Sequence, residues 1–141
     1  MPRRNDTASP ESVQSISFMI YGEPASKANS RRVVRYNNLS RVIKSQKALD
    51  YSDQFRQQCV PLDPLMDGEL VVTMHIWYAS RRPDLDDSLI LDLMQGLIYK
   101  NDRQVKQKKI YWQLDRENPR SVIRVYELED LSFPDNLKMD G

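Results

Sequence analysis

Three carboxylates fall within four residues at Asp84-Leu85-Asp86-Asp87, directly after Arg81-Arg82-Pro83. A fourth, Asp102, follows in Tyr99-Lys100-Asn101-Asp102-Arg103-Gln104-Val105, across a short apolar segment. Crowded carboxylates repel one another and resist ionising together. A fold that keeps them adjacent needs compensating charge, most simply a divalent cation. All-oxygen ligands suit Mg²⁺ or Mn²⁺ better than Zn²⁺. The arginines beside them suit a phosphate as the further ligand.

The rest of the charge is segregated in the same sense. The net charge of +1 over 141 residues conceals a stretch from Pro24 to Leu49 with no acidic residue and seven basic ones: Lys27, Arg31, Arg32, Arg35, Arg41, Lys44 and Lys47. A second basic group is Arg103, Lys106, Lys108 and Lys109. Segregation of this kind points to a polyanion held against the acidic site. The plain alternative for such a run is a solvated basic face.

The chain length suits one domain. A polar arm at 1–13 carries Pro2 and Pro10, a domain spans 14–128, and an acidic, loosely ordered tail covers 129–141. Cys59 is the only cysteine, so no intramolecular disulfide forms and a reducing compartment fits. It reads as a packing residue near a helix end. His75, the only histidine, reads as a strand residue and receives no role. No apolar run reaches membrane-spanning length, and the first residues lack the apolar stretch of a signal peptide. A cytoplasmic protein is expected, with no membrane partner.

Alternating Ile16, Phe18 and Ile20 predict a strand from Ser15 to Tyr21, ended by Gly22-Glu23-Pro24. Residues 25–43 read as a basic loop with an added hairpin at Val33-Val34 and Val42-Ile43. Ser45 to Gln58 reads as a helix capped by Ser45, with Leu49, Phe55 and Cys59 as its buried edge. A strand from Glu69 to Ala79 delivers the chain to the acids, and a helix from Asp86 to Ile98 follows. Gly96 marks its possible end. Gln104 to Leu114 and Ser121 to Leu128 read as strands joined in a hairpin around Asn118-Pro119. Trp77, Trp112 and Tyr111 are assigned to the core, as strand aromatics usually are. The order β, α, β, α, β, β gives an α/β (α+β) fold, a mixed sheet with two main helices packed on it.

In an extended segment side chains alternate, so Asp84 and Asp86 point the same way and Leu85 points into the core. Asp102 needs only a compact strand–helix–strand return to join them. A divalent ion held by Asp84, Asp86 and Asp102 would leave coordination positions for water and a phosphate oxygen. Phosphodiester hydrolysis follows from that chemistry, with the basic stretch on the strand backbones. Taken singly, the same acids also read as helix caps and turn residues.

Four pieces, in order, resemble the RusA family of Holliday-junction resolvases. Phe18-Met19-Ile20-Tyr21-Gly22-Glu23-Pro24-Ala25-Ser26-Lys27 resembles its opening strand and Gly-x-Pro-x-x-Lys turn. Arg82-Pro83-Asp84-Leu85-Asp86-Asp87 resembles its Arg-Pro-Asp-Leu-Asp-Asn core. Asp92-Leu93-Met94-Gln95-Gly96 resembles Asp-x-Leu-x-Gly, and the segment from Tyr99 to Val105 resembles Tyr-x-Asp-Asp-x-Gln-Ile/Val. The resemblance spans roughly residues 16–126. It implies a homodimer that binds four-way DNA junctions and nicks two strands of like polarity with Mg²⁺ or Mn²⁺, in a bacterial or phage-infected cell. It implies Asp84, Asp86 and Asp102 as catalytic metal ligands, with Asp87 as a possible addition. Lys27, Arg31 and Arg32 fall where the family places DNA contacts, and Arg35, Arg81 and Arg82 extend that basic set.

The chain departs from the family pattern at three places. Asp87 stands for Asn, and Asn101 stands for the first Asp of a pair. The family's catalytic lysine, one turn into the helix, is replaced by Ile90, or by Ser88 if the gap precedes the helix. Lys100 and the lysines at 106–109 are the cations left to substitute. The alternative to a junction resolvase is therefore a weak or inactive relative that still binds junctions. A third reading is a small interaction protein whose acids serve only as caps.

Overall fold

The computed structural model describes residues 15–26 and 31–129. The arm at 1–13, Lys27 and all but the first residue of the tail lie outside them. The described residues form six strands and two α-helices: β1 (Ser15–Tyr21), β2 (Arg31–Tyr36), β3 (Leu39–Lys44), α1 (Gln46–Gln58), β4 (Leu70–Tyr78), α2 (Ser88–Met94), β5 (Val105–Leu114) and β6 (Arg120–Glu127). A four-stranded mixed sheet runs β1-β6-β4-β5, and β2-β3 is a separate hairpin. Asn37 and Asn38, with φ of 51° and 64°, form its turn in the left-handed conformation that two-residue hairpins favour.

The expected hairpin of β5 with β6 is not formed. β5 lies parallel to β4 at the sheet edge, and β6 crosses to pair antiparallel with both β4 and β1. Parallel pairing needs a crossover, which α2 supplies between β4 and β5. The lysines at 106, 108 and 109 then sit on an edge strand, where charge discourages further pairing.

Both helices cover one face of the sheet. Ala48, Tyr51 and Phe55 of α1 and Leu89, Ile90, Leu93 and Met94 of α2 share one core with Ile20, Met74, Ile76, Tyr78, Ile123 and Val125. The Ser45 hydroxyl caps α1, accepting from the Ala48 N–H at 3.1 Å, a bond worth about 1 kcal/mol. Cys59 is buried as expected, but Leu49 is 42% exposed. It sits one residue from Ala48, about 100° around the helix from the stripe formed by Ala48, Ser52 and Phe55.

The second helix is shorter than its apolar pattern suggests and stops at Met94. Gly96 takes φ +84°, and the carbonyls of Leu97 and Ile98 accept from the N–H groups of Leu62 and Met66, each at 2.8 Å. Tertiary partners thus replace the last helical turn. Leu97 and Ile98 still reach the core, Leu97 only in part.

Candidate active site

The end of β4 and the start of α2 frame the acidic loop, and its backbone is pinned at three points. The Ala79 N–H donates to Glu23 Oε1 at 2.7 Å. The Trp112 indole donates to the Pro83 carbonyl at 3.0 Å. The Asp86 N–H donates to the Tyr78 hydroxyl at 3.2 Å. The Tyr78 and Trp112 rings stack with centroids 5.7 Å apart, so two core aromatics on adjacent strands hold the loop from beneath. Leu85, expected in the core, is 39% exposed. The loop is fixed through its backbone and its flanks, so Leu85 is not needed as an anchor.

Within the loop the carboxylates divide. Asp84 is exposed and lines a cleft with Glu23, Ser26, Lys47, Arg82 and Pro83. Asp86 accepts from the N–H and the hydroxyl of Ser88, holding the first residue of α2. Asp87 occupies the cap position of α2, yet its side chain makes no cap bond. It reaches across to β5 instead, where Lys108 Nζ stands 2.9 Å from its Oδ2.

Asp102 opens a 3-10 turn, Asp102–Gln104. Asn101 caps this turn through its side chain, accepting from the Arg103 N–H at 2.8 Å. Gln104 closes the reciprocal half, accepting from the N–H groups of Lys100 and Asn101 and donating to the carbonyls of Met66 and Gly68. Gln95 Oε1 accepts from the Asp102 N–H at 2.9 Å. Gln95, Asn101 and Gln104 therefore fix Asp102, although of the three only Gln104 matches a residue of the family pattern. Asn caps as well as Asp does, so Asn101 costs the turn nothing.

Two buried tyrosines show how the acids are grouped. Burial drives the Tyr78 hydroxyl up to about 12; the Asp86 amide opposes this, and the charges of Asp86, Glu23 and Asp87 add to it. Burial likewise drives Tyr99 well above its ordinary value, and Asp102, Asp92 and Asp87 add to it. Asp87 is the carboxylate common to both sets. Lys108 and Asp102 line one open cleft with Leu91, Val105, Lys106 and Gln107. Among the described residues, no three His, Cys, Asp or Glu side chains stand close enough to hold a metal ion. Asp84 and Asp102 line different clefts, Asp86 is held to Ser88, and the three form no ready cage.

Cations share several of these clefts. Arg31 and Lys44, partners in the β2–β3 register, line a cleft with Ser88 and Asp92 of α2. Arg32 and Arg35 are exposed on β2, and Arg81 is exposed in the acidic loop. Glu23 and Lys47 form an ion pair at 2.9 Å beside Asp84. Sequence reasoning passed over Glu23, although Gly22-Glu23-Pro24 carried the signal that the turn returns toward the site. It could not choose Lys108 among its neighbouring lysines, because that choice depends on which residues of β5 face α2.

A carboxylate loop with lysines and arginines beside it, on an α/β scaffold, has the charge pattern that suits a polyanion. The family model described as Endodeoxyribonuclease RusA matches residues 22–126, most of the chain, and the protein belongs to that family. The family is one of nucleases acting on Holliday junctions. No curated protein matches the sequence. No helix among the described residues is long and apolar enough to cross a membrane.

Proposed function

We propose that the protein is a metal-dependent endonuclease that resolves four-way DNA junctions as a homodimer, by paired phosphodiester hydrolysis in the cytoplasm. The observation that carries this reading is the carboxylate loop, pinned from below by Tyr78 and Trp112 and facing the Asp102 turn across Lys108. The domain 14–128 carries the activity. Asp84, Asp86 and Asp102, joined by Asp87, are the residues that would hold Mg²⁺ or Mn²⁺; the donor set is entirely carboxylate oxygen, which suits these ions. Bound there, the ion supplies a water of lowered pKa and neutralises charge at the phosphorus.

The chain's own groups do the rest. Arg31 and Lys44 bring the phosphate backbone to the start of α2, and Arg81, Arg82, Lys27, Arg32 and Arg35 extend the track. Lys108 supplies the cation that α2 lacks, since Ile90 is fully buried and Ser88 is committed to Asp86. A dimer sets two such sites on one branched substrate, which permits a symmetric pair of cuts.

The test is cutting of an end-labelled four-way junction in Mg²⁺ by the wild type and by Asp86→Asn. Cutting by the wild type alone supports the proposal. Junction binding without any metal-dependent cut would leave the second reading, an inactive junction-binding relative. That reading draws on the absence of a basic residue throughout α2 and on the engagement of Asp87 by Lys108.

A further inference from the structure

Among the described residues, no helix packs on the other face of the four-stranded sheet, where Val71 is buried and the rest are half-buried or exposed. Along Ser15–Tyr21, Val71–Trp77, Gln107–Gln113 and Arg120–Tyr126, every second residue in register points to that face, starting from the first, and none is Asp or Glu. This is unusual in a chain with nearly equal numbers of acids and bases, 20 and 21. The centre of the face is aromatic. His75 stacks on Tyr111 at 4.5 Å and on Trp77 at 5.8 Å, a contiguous row of rings. Tyr111 is 46% exposed and His75 and Trp77 are half-buried, so the row meets solvent chiefly at Tyr111. Cations flank it. The Arg120 guanidinium lies 4.2 Å over Trp77, and the Arg124 guanidinium lies 4.6 Å over Tyr126. Lys109 is exposed in the row next to Tyr111. Arg120 also donates to Asp115 in the adjoining turn at 2.8 Å, which orients it at the rim.

We infer that this face binds an unpaired DNA strand, its bases stacking on the His75–Tyr111–Trp77 row and its phosphates meeting Lys109, Arg120 and Arg124. Rings provide contacts that any base can use, and a surface without carboxylates avoids repulsion of the backbone. A second copy of the chain is a poorer occupant. Face-to-face pairing would bring Lys109 and Arg124 of each copy toward those of the other, with no acid among the residues of the face and Asp115 at the rim already engaged by Arg120. The surface is separate from the carboxylate loop, on the opposite side of the sheet, so it acts whether or not the protein cuts.

The experiment measures binding of the full chain to a fluorescein-labelled oligo(dT) of about 12 nucleotides, in EDTA, beside an abasic strand of equal length. Wild type should prefer the base-carrying strand, and Trp77 emission should be quenched by it. Tyr111→Ala, at an exposed position, should weaken oligo(dT) binding about tenfold and abolish the preference over the abasic strand. Arg124→Ala should weaken both strands and lower the salt slope. Equal affinity of wild type and Tyr111→Ala for oligo(dT) overturns the proposal. So does conversion of a dimer to a monomer by these changes with oligo(dT) affinity intact, which would make the face a self-association surface. Cutting of junctions is read separately, so failure here leaves the nuclease proposal standing.

Discussion

Lys108 on β5 and Asp87 at the start of α2 meet at 2.9 Å, joining the sheet edge to the acidic loop. The contact is partly open, with Lys108 nearly half exposed, so its worth to stability is small. Its significance is positional. Val72 and Lys108 are register partners, and the residues that continue that side of β5, Ile110 and Trp112, pack against the core under the helices. Alternation therefore aims Lys108 at the site, while Lys109 points to the opposite face.

Lys108→Met should reduce junction cutting about a hundredfold to a thousandfold, the usual loss when one preorganised charge at a transition state is removed. Junction affinity should change little. Lys108→Arg should restore part of the rate by returning a cation to the same cleft. Single-turnover cleavage with enzyme in excess separates the two effects. Full activity in Lys108→Met would remove this residue from the mechanism.

Asp84→Asn and Asp102→Asn should each lower cutting on the order of 10³-fold or more, because the metal's contribution is several kcal/mol. DNA binding should persist or tighten, since a negative charge facing phosphate is lost. Gel-shift titrations beside cleavage assays give both readings. If both variants cut normally, the ligand assignment is wrong.

The strands, both helices and the basic hairpin were legible because each rests on local pattern: alternation in β1, the Ser45 cap of α1, paired β-branched residues in β2 and β3. Pairing was less legible. Proximity in sequence favoured a β5–β6 hairpin, whereas β6 is drawn to the open edge of β4, a choice decided by tertiary burial. Leu49 and Leu85 were misplaced for a related reason, since apolar character alone does not specify which side of an element is covered. Trp77 and Tyr111, assigned to the core, lie on the helix-free face, and only Trp112 of the three packs under α2's side of the sheet. The four motif pieces pointed to the acidic loop and the Asp102 turn. The partnerships that organise them, Lys108 with Asp87 and Glu23 with Ala79, join segments too distant in sequence to be read.

Trp112→Phe keeps the ring against Tyr78 but deletes the indole donor to the Pro83 carbonyl. The expected loss in stability is about 1 kcal/mol, measured by denaturant unfolding. Cutting should fall further than stability alone explains, because the acidic loop loses one of its three backbone anchors. Unchanged cutting at equal fractions folded would show that the loop does not depend on this anchor.

Cys59 gives a stability signal at alkaline pH. Burial raises its thiol from the ordinary 9.0 to about 11. A folded value above the unfolded one favours the neutral form, so this contribution is fully present below pH 9 and is lost as pH rises through 11. Unfolding free energies at pH 7.5 and pH 10 should therefore diverge more for wild type than for Cys59→Ala. Iodoacetamide at pH 8 should label the thiol readily only in denaturant. Rapid labelling of the native protein would contradict its burial.

Arg31 and Arg32 lead the basic hairpin, and Arg31 shares a cleft with Ser88 and Asp92 beside the acidic loop. Each lysine or arginine that neutralises a phosphate releases about 0.9 of a counterion from duplex DNA. Replacing both arginines by alanine should therefore weaken junction binding and flatten the slope of log K against log salt by about two. The loss should be the same for junctions of different sequence, because phosphate contacts position the strand without reading bases. Filter binding between 50 and 200 mM salt checks both points. A slope equal to wild type would place the hairpin outside the DNA interface and leave Arg81, Arg82 and Lys47 as the cations nearest the cut.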